Sequence, residues 1–362
     1  MSVSHVNNVG IRGIATAVPS HKVSWREAEA IFGEDAARIA EYIGVKKRCV
    51  VKNENICASD LCWEAADRLI KELNWERDSV DILVMVTQSP DYVLPATSCI
   101  LQQRLALSRA CAAFDVNLGC SGYVYGLWLA SHLLSSGAGG RALVLAGDTS
   151  SRGVSPLDRA TAMLFGDAGT ATGLERVSVA SPITFKIGTD GSGAQYLMIP
   201  AGGFRKPHSP ETSIRRKYDK RNFRSEEDLF MDGAEVFSFM QRTVPPLVCE
   251  LLEISGLSKD DVDAFVMHQS NQFALNYLSK RLKLSEGKNV IAMEQFGNTS
   301  SASIPLAITH ALRKRLCEDS MRLMLVGFGV GWSWGACLLE CGPIVIPEII
   351  EVNSIAKQEN TA

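Results

Sequence analysis

Cys120 stands where an apolar run, residues 112–118, ends in Gly119 and a helix-like apolar run, residues 123–134, begins. That order reads as strand, sharp turn and helix, with the thiol at the turn. A helix N-terminus favours a thiolate there. Gly119 and Gly122 let the backbone turn tightly and a substrate come close. Such a thiol can serve as a covalent nucleophile. The chain holds ten cysteines, and a free cysteine also serves as a small buried apolar residue, so Cys120 alone leaves both readings open. His268 follows a buried apolar run, residues 262–267, and precedes Gln269-Ser270-Asn271-Gln272. Asn298 lies in Phe296-Gly297-Asn298-Thr299-Ser300, again a glycine turn before a helix-like run. A satisfied core histidine and a helix-capping asparagine account for each singly. Thiol, imidazole and carboxamide together at three strand-to-helix turns are less readily explained as three separate structural residues.

The elements that must position them alternate. Residues 9–18, 80–87, 112–118, 141–146 and 262–267 read as strands, several with almost no polar residue. Residues 24–40, 59–73, 97–107 and 273–282 read as helices, with Ser59-Asp60 as a start signal. This predicts an α/β sheet covered on both faces. Val80-Asp81-Ile82-Leu83-Val84-Met85 recurs as Val262-Asp263-Ala264-Phe265-Val266-Met267, and each copy is followed by Gln-Ser. Arg141-Ala142-Leu143-Val144-Leu145 is echoed by Arg322-Leu323-Met324-Leu325-Val326 at nearly the same offset. Two ordered matches half a chain apart point to duplicated halves. A site between such halves is built from equivalent strand ends.

At 362 residues the chain suits two fused halves. A net charge of −3 gives no global pull toward nucleic acid or membranes. No apolar run reaches transmembrane length, and residues 1–13 lack a signal-peptide profile, so the chain is expected in the cytoplasm. The cysteines are scattered rather than framed for disulfides or zinc, and no metal site is expected. Residues 205–224 are rich in Lys and Arg, including Arg215 and Arg216. They read as a solvated loop or as a docking patch for an acidic partner. Residues 346–362 read as an extra sheet edge or a frayed end.

With these motifs on the page, the chain resembles the β-ketoacyl-acyl-carrier-protein synthase III family, condensing enzymes of the thiolase-like fold. The resemblance spans about residues 9–340. It rests on Gly119-Cys120-Ser121-Gly122-Tyr123, His268-Gln269-Ser270-Asn271, Gly297-Asn298-Thr299-Ser300, Phe165-Gly166-Asp167-Ala168-Gly169, Met231-Asp232-Gly233-Ala234-Glu235-Val236-Phe237 and Val326-Gly327-Phe328-Gly329-Val330-Gly331. It implies a layered αβαβα sandwich. Residues 1–178 form the half with the nucleophile, 179–230 a connection, and 231–345 the half with His268 and Asn298.

The resemblance further implies that Cys120 takes the acyl group, its thiolate favoured by His268. A malonyl thioester is then decarboxylated while His268 and Asn298 donate to its oxygen. The backbone N–H groups of Cys120 and Val330 form the second oxyanion site; the family usually has glycine at 330. Leu94, Arg159 and Phe328 fall at substrate-binding positions, with Leu94 entering the acyl pocket of the other copy in a homodimer. Lys280 and Arg281 fall at carrier-protein docking positions, with Arg215 and Arg216 as further candidates. The family's nucleotide-gripping Trp and Arg are Arg38 and Tyr42 here, and a third Arg is Phe273. That favours acyl donors carried on a protein over coenzyme A. No cofactor is expected, only thioester substrates. Two other readings are an acyltransferase that does not decarboxylate, against which Asn298 beside His268 weighs, and a non-catalytic partner subunit, against which intact Cys120 weighs.

Overall fold

The computed structural model describes residues 2–52, 55–178, 181–218 and 222–353. Asp219, Lys220 and Arg221 of the basic run, and the tail beyond Asn353, lie outside the described residues.

Two sheets carry the molecule. The first has six strands in the order Ile350–Val352, Val9–Pro19, Ala168–Arg176, Arg141–Asp148, Ile82–Val86 and Ala112–Val116. The second has five, in the order Ser2–Val6, Ile183–Thr189, Ser333–Cys341, Met321–Gly329 and Ala264–Met267. The repeated sequence pairs occupy matching places. Ile82–Val86 lies parallel to Arg141–Asp148, and Ala264–Met267 lies parallel to Met321–Gly329.

Alternation within each buried strand builds three apolar layers, because successive side chains point to opposite faces. Ile82, Val84 and Val86, with Ala264 and Val266 of the other sheet, face a shared middle layer. The helices Gly122–Ser135 and Ser303–Ala311 fill that layer with Tyr123, Leu127, Ile304 and Ile308. Leu83 and Met85 point outward onto the helix Ala58–Glu72. Phe265 and Met267 point the other way onto the helix Gly233–Ile254. The result is helix, sheet, helix, sheet, helix. Among the described residues no helix is long and apolar enough to cross a membrane.

Several details depart from the sequence reading. The expected helix at residues 24–40 is broken: a short turn at Trp25–Ala28 and a single turn at Glu29–Phe32 end at Gly33, whose φ of +58° starts a new helix, Asp35–Ile43. The start of the 58–72 helix is capped by Cys57, whose N–H donates to Asp60 at 2.7 Å. The halves also exchange strands. Ser2–Val6 pairs antiparallel with Ile183–Thr189 in the second sheet, and Ile350–Val352 edges the first. The segment 179–230, read as a connection, thus supplies a sheet strand whose Ile183 and Phe185 are buried.

The basic run is stitched down. Arg215 pairs with Asp228 at 3.2 Å, Lys206 with Glu226, and His208 with Glu227 at 2.9 Å. Arg224 is buried, bonded to Asp158 at 2.9 Å and lying over the Tyr218 ring at 3.6 Å. Arg216–Lys217 and Phe223–Arg224 pair as a short hairpin.

Candidate active site

The carboxyl ends of the parallel strands open into one cavity of about 1500 Å³. Cys120, His268, Asn298, Arg159, Phe328 and Val330 all line it. Leu94, Lys280, Arg281, Arg215 and Arg216 do not: they are exposed, Leu94 at 77%.

Cys120 follows the Ala112–Val116 strand and lies two residues before the Gly122–Ser135 helix. It packs so closely on Gly329 that a Cβ there would lie 2.8 Å from its sulfur. Burial pushes the thiol up to about 12; the backbone N–H groups of Val330 and of Cys120 itself, and the Ser300 hydroxyl, pull the other way, while the Asp148 carboxylate raises it further. Those N–H groups therefore converge on the sulfur, which is where an acyl oxygen bound to it would need donors.

His268 directly follows the Ala264–Met267 strand and is 2% exposed. Burial pushes its imidazole down to about 3. Burial thus favours the neutral forms of both the thiol and the ring, against the pull toward a thiolate that the sequence suggests. Desolvation penalises both charged forms at once. Alkylation of Cys120 by iodoacetamide should thus climb about tenfold per pH unit from about pH 7 to 10, without a step near the usual imidazole range. A rate already level at neutral pH would mean a stable thiolate.

The ring is held by Ser303, which sequence reasoning missed. The Gln269 N–H donates to Ser303 Oγ at 3.4 Å, and Ser303 Oγ lies 2.7 Å from His268 Nδ1. With the hydroxyl donating to Nδ1, Nε2 carries the ring hydrogen and acts as a donor. Phe328 stands edge-on to the ring at 5.7 Å and limits its tilt.

Asn298 is held by the other half of the molecule. Its N–H donates to the Leu164 carbonyl at 2.9 Å, and its carbonyl accepts from the Gly166 N–H at 3.0 Å. This contact needs glycine on both sides. Gly297 has φ +71°, and a Cβ at Gly166 would lie 2.0 Å from the Phe296 carbonyl oxygen. The Phe165-Gly166-Asp167 motif is thus the cradle of Asn298. Its side-chain Oδ1 accepts from the Ser300 N–H at 3.0 Å, and Nδ2 reaches the Ser270 carbonyl at 3.5 Å. One Nδ2 hydrogen remains for the cavity.

At the exposed side, Tyr42 lines the cavity and stacks on Phe273 at 4.8 Å and 25°, with Phe237 5.5 Å from Phe273. Arg159 is bonded to Asp35 at 2.7 Å and covers Phe32. Cys120, His268 and Asn298 therefore line one cavity, the sulfur with backbone N–H groups beside it and the other two with side-chain nitrogens that can donate. That arrangement can stabilise oxyanions on both partners of a carbon–carbon bond-forming step.

A five-layer α/β molecule of two matched halves, with Cys, His and Asn in the cleft between them, is the build of the thiolase-fold condensing enzymes. Residues 114–191 match the 3-oxoacyl-[acyl-carrier-protein (ACP)] synthase III family model, and residues 252–341 match that of its C-terminal part. The chain is 33% identical to a β-ketoacyl-[acyl-carrier-protein] synthase III of Caldanaerobacter subterraneus, over 91% of this chain and 97% of that one. A 3-oxoacyl-(acyl-carrier protein) synthase from Burkholderia xenovorans LB400 superposes with a TM-score of 0.91 at 41% identity, covering 97% of this chain and 99% of that one. A 3-oxoacyl-(acyl carrier protein) synthase III from Pseudomonas aeruginosa PAO1 gives a TM-score of 0.81 at 30% identity, over 93% and 99%. The chain belongs to the 3-oxoacyl-[acyl-carrier-protein] synthase III family.

Proposed function

We propose that the chain condenses an acyl thioester with a malonyl thioester held on a carrier protein, losing carbon dioxide and giving a β-ketoacyl product. The observation that supports this is that Cys120, His268 and Asn298 line one cavity. The Cys120 sulfur attacks the acyl thioester, and the donor thiol leaves with the proton. The malonyl thioester oxygen then sits against His268 Nε2–H and Asn298 Nδ2–H. As carbon dioxide departs, the electron pair of the broken bond becomes an enolate that these two donors stabilise. The enolate carbon attacks the acyl carbon on Cys120. The backbone N–H groups of Cys120 and Val330 hold the resulting oxyanion, and its collapse frees the sulfur. Enzyme acylated in advance, mixed with malonyl carrier-protein thioester, should release one carbon dioxide per β-ketoacyl product formed. Product without carbon dioxide would indicate plain acyl transfer.

The acyl donor is carried on a protein as well. Where the resemblance puts nucleotide-gripping residues, Tyr42 and Phe273 stack on one another in place of two arginines, and Arg38, which also lines the cavity, stands in place of the stacking Trp. Lys280 and Arg281, exposed in the last turn of the Gln272–Leu282 helix, and Arg216 are the docking cations; Arg215 is already paired with Asp228. The exposed tip Tyr92, Val93 and Leu94 is covered by a second copy, with Leu94 closing that copy's acyl pocket. With matched donors, acylation of Cys120 read by intact mass should be at least about tenfold faster from carrier protein than from coenzyme A. Equal or faster acylation by coenzyme A would overturn this choice of donor.

A further inference from the structure

We propose that Asp148 is a positioning residue: from the first half of the molecule, through Ser301 and Ser300, it aims the Asn298 carboxamide of the second half into the cavity. This rests on the reading of Asn298 as a donor to the malonyl thioester.

Asp148 ends the Arg141–Asp148 strand and is 1% exposed. Its Oδ1 accepts from the Gln88 N–H at 2.7 Å and from the hydroxyls of Thr87 at 3.1 Å and Ser89 at 3.2 Å. Its Oδ2 accepts from the Ser301 hydroxyl at 2.7 Å and the Ser301 N–H at 3.2 Å. One carboxylate oxygen thus serves the turn after the Ile82–Val86 strand and the other serves the turn after Asn298. The Ser301 hydroxyl also lies 3.4 Å from the Val86 carbonyl, so the turn after Asn298 is pinned to the end of the Ile82–Val86 strand.

That pinning has a local consequence. Ser300, next to Ser301, has φ +52°, in the left-handed region. A serine resists this conformation unless its neighbours hold it. From it, the Ser300 N–H reaches Asn298 Oδ1 at 3.0 Å. With Oδ1 occupied on that side, the amide nitrogen has to face Ser270 and the cavity. An asparagine at 148 would turn an N–H toward one of the two donor sets and leave it unmet.

The test uses the full-length enzyme and reads its two half-reactions separately. One is acylation of Cys120 by intact mass. The other is single-turnover carbon dioxide release from malonyl carrier-protein thioester by enzyme acylated beforehand. Asp148→Asn should slow carbon dioxide release at least about tenfold more than it slows acylation. In an Asn298→Ala background, the same change should matter by no more than about twofold, because both act through one donor. Ser301→Ala, the milder variant if Asp148→Asn does not fold, should show the same pattern with a loss of about threefold. Equal losses in both half-reactions, or a full extra loss in the Asn298→Ala background, would overturn the proposal. A wild type that releases no carbon dioxide would overturn the condensing reading itself, and the two failures are distinguishable.

Discussion

Cys120→Ala is expected to lower condensation by about four orders of magnitude or more and to abolish the acyl adduct seen by mass. The sulfur is the only group in the reaction scheme that carries the acyl chain between two substrates that never meet. Nothing adjacent can replace it. Ser300 approaches the sulfur but is an unactivated hydroxyl, and His268 already accepts from Ser303. The fold should tolerate the change, since alanine only relieves the close contact with Gly329. A melting temperature like that of wild type, with no adduct and no product, is the expected result. Retained acylation would place the nucleophile elsewhere.

His268→Ala and Asn298→Ala should each slow carbon dioxide release by about 10²–10³-fold, the usual cost of one oxyanion donor in a dry site. Because both donors grip the same thioester oxygen, the double variant should lose less than the product of the two. Acylation of Cys120 should suffer much less, since the sulfur has its own N–H groups from Val330 and Cys120. Ser303→Ala keeps the ring but frees its tautomer, and a loss of about tenfold, again confined to the decarboxylating half, is expected. Stopped-flow carbon dioxide detection alongside intact-mass acylation separates the two halves.

Much of this site could be read without coordinates because its parts sit where local signals are strong. Cys120 and His268 each follow an apolar run and precede a helix, and Asn298 follows a glycine turn before a helix-like run. The duplication stood out because buried strands repeat their apolar letters. Ser303 and Asp148 were hidden for a different reason. Their work depends on partners far along the chain: Asp148 meets Ser301 across 153 positions. No local pattern marks such a contact, although a polar residue closing an apolar strand was a hint. The protonation state was hidden too, because burial is a property of the whole cavity, whereas a helix terminus is visible within a few residues. The basic run was readable in part. Its neutralising acids, Glu226, Glu227 and Asp228, lie just beyond it in the sequence, and the ion pairs they make leave it less charged than its composition implies. Tyr42 and Phe273 were each noted as departures, but only the fold brings them into a stack.

The most direct measurement is a mass-resolved chase. Purified enzyme is loaded with an acyl donor, the adduct is located by peptide mapping, and malonyl carrier-protein thioester is then added. The adduct should map to Cys120 and disappear at the rate at which carbon dioxide and a β-ketoacyl carrier protein form. An adduct on another residue, or one that leaves Cys120 without carbon dioxide release, would contradict the account.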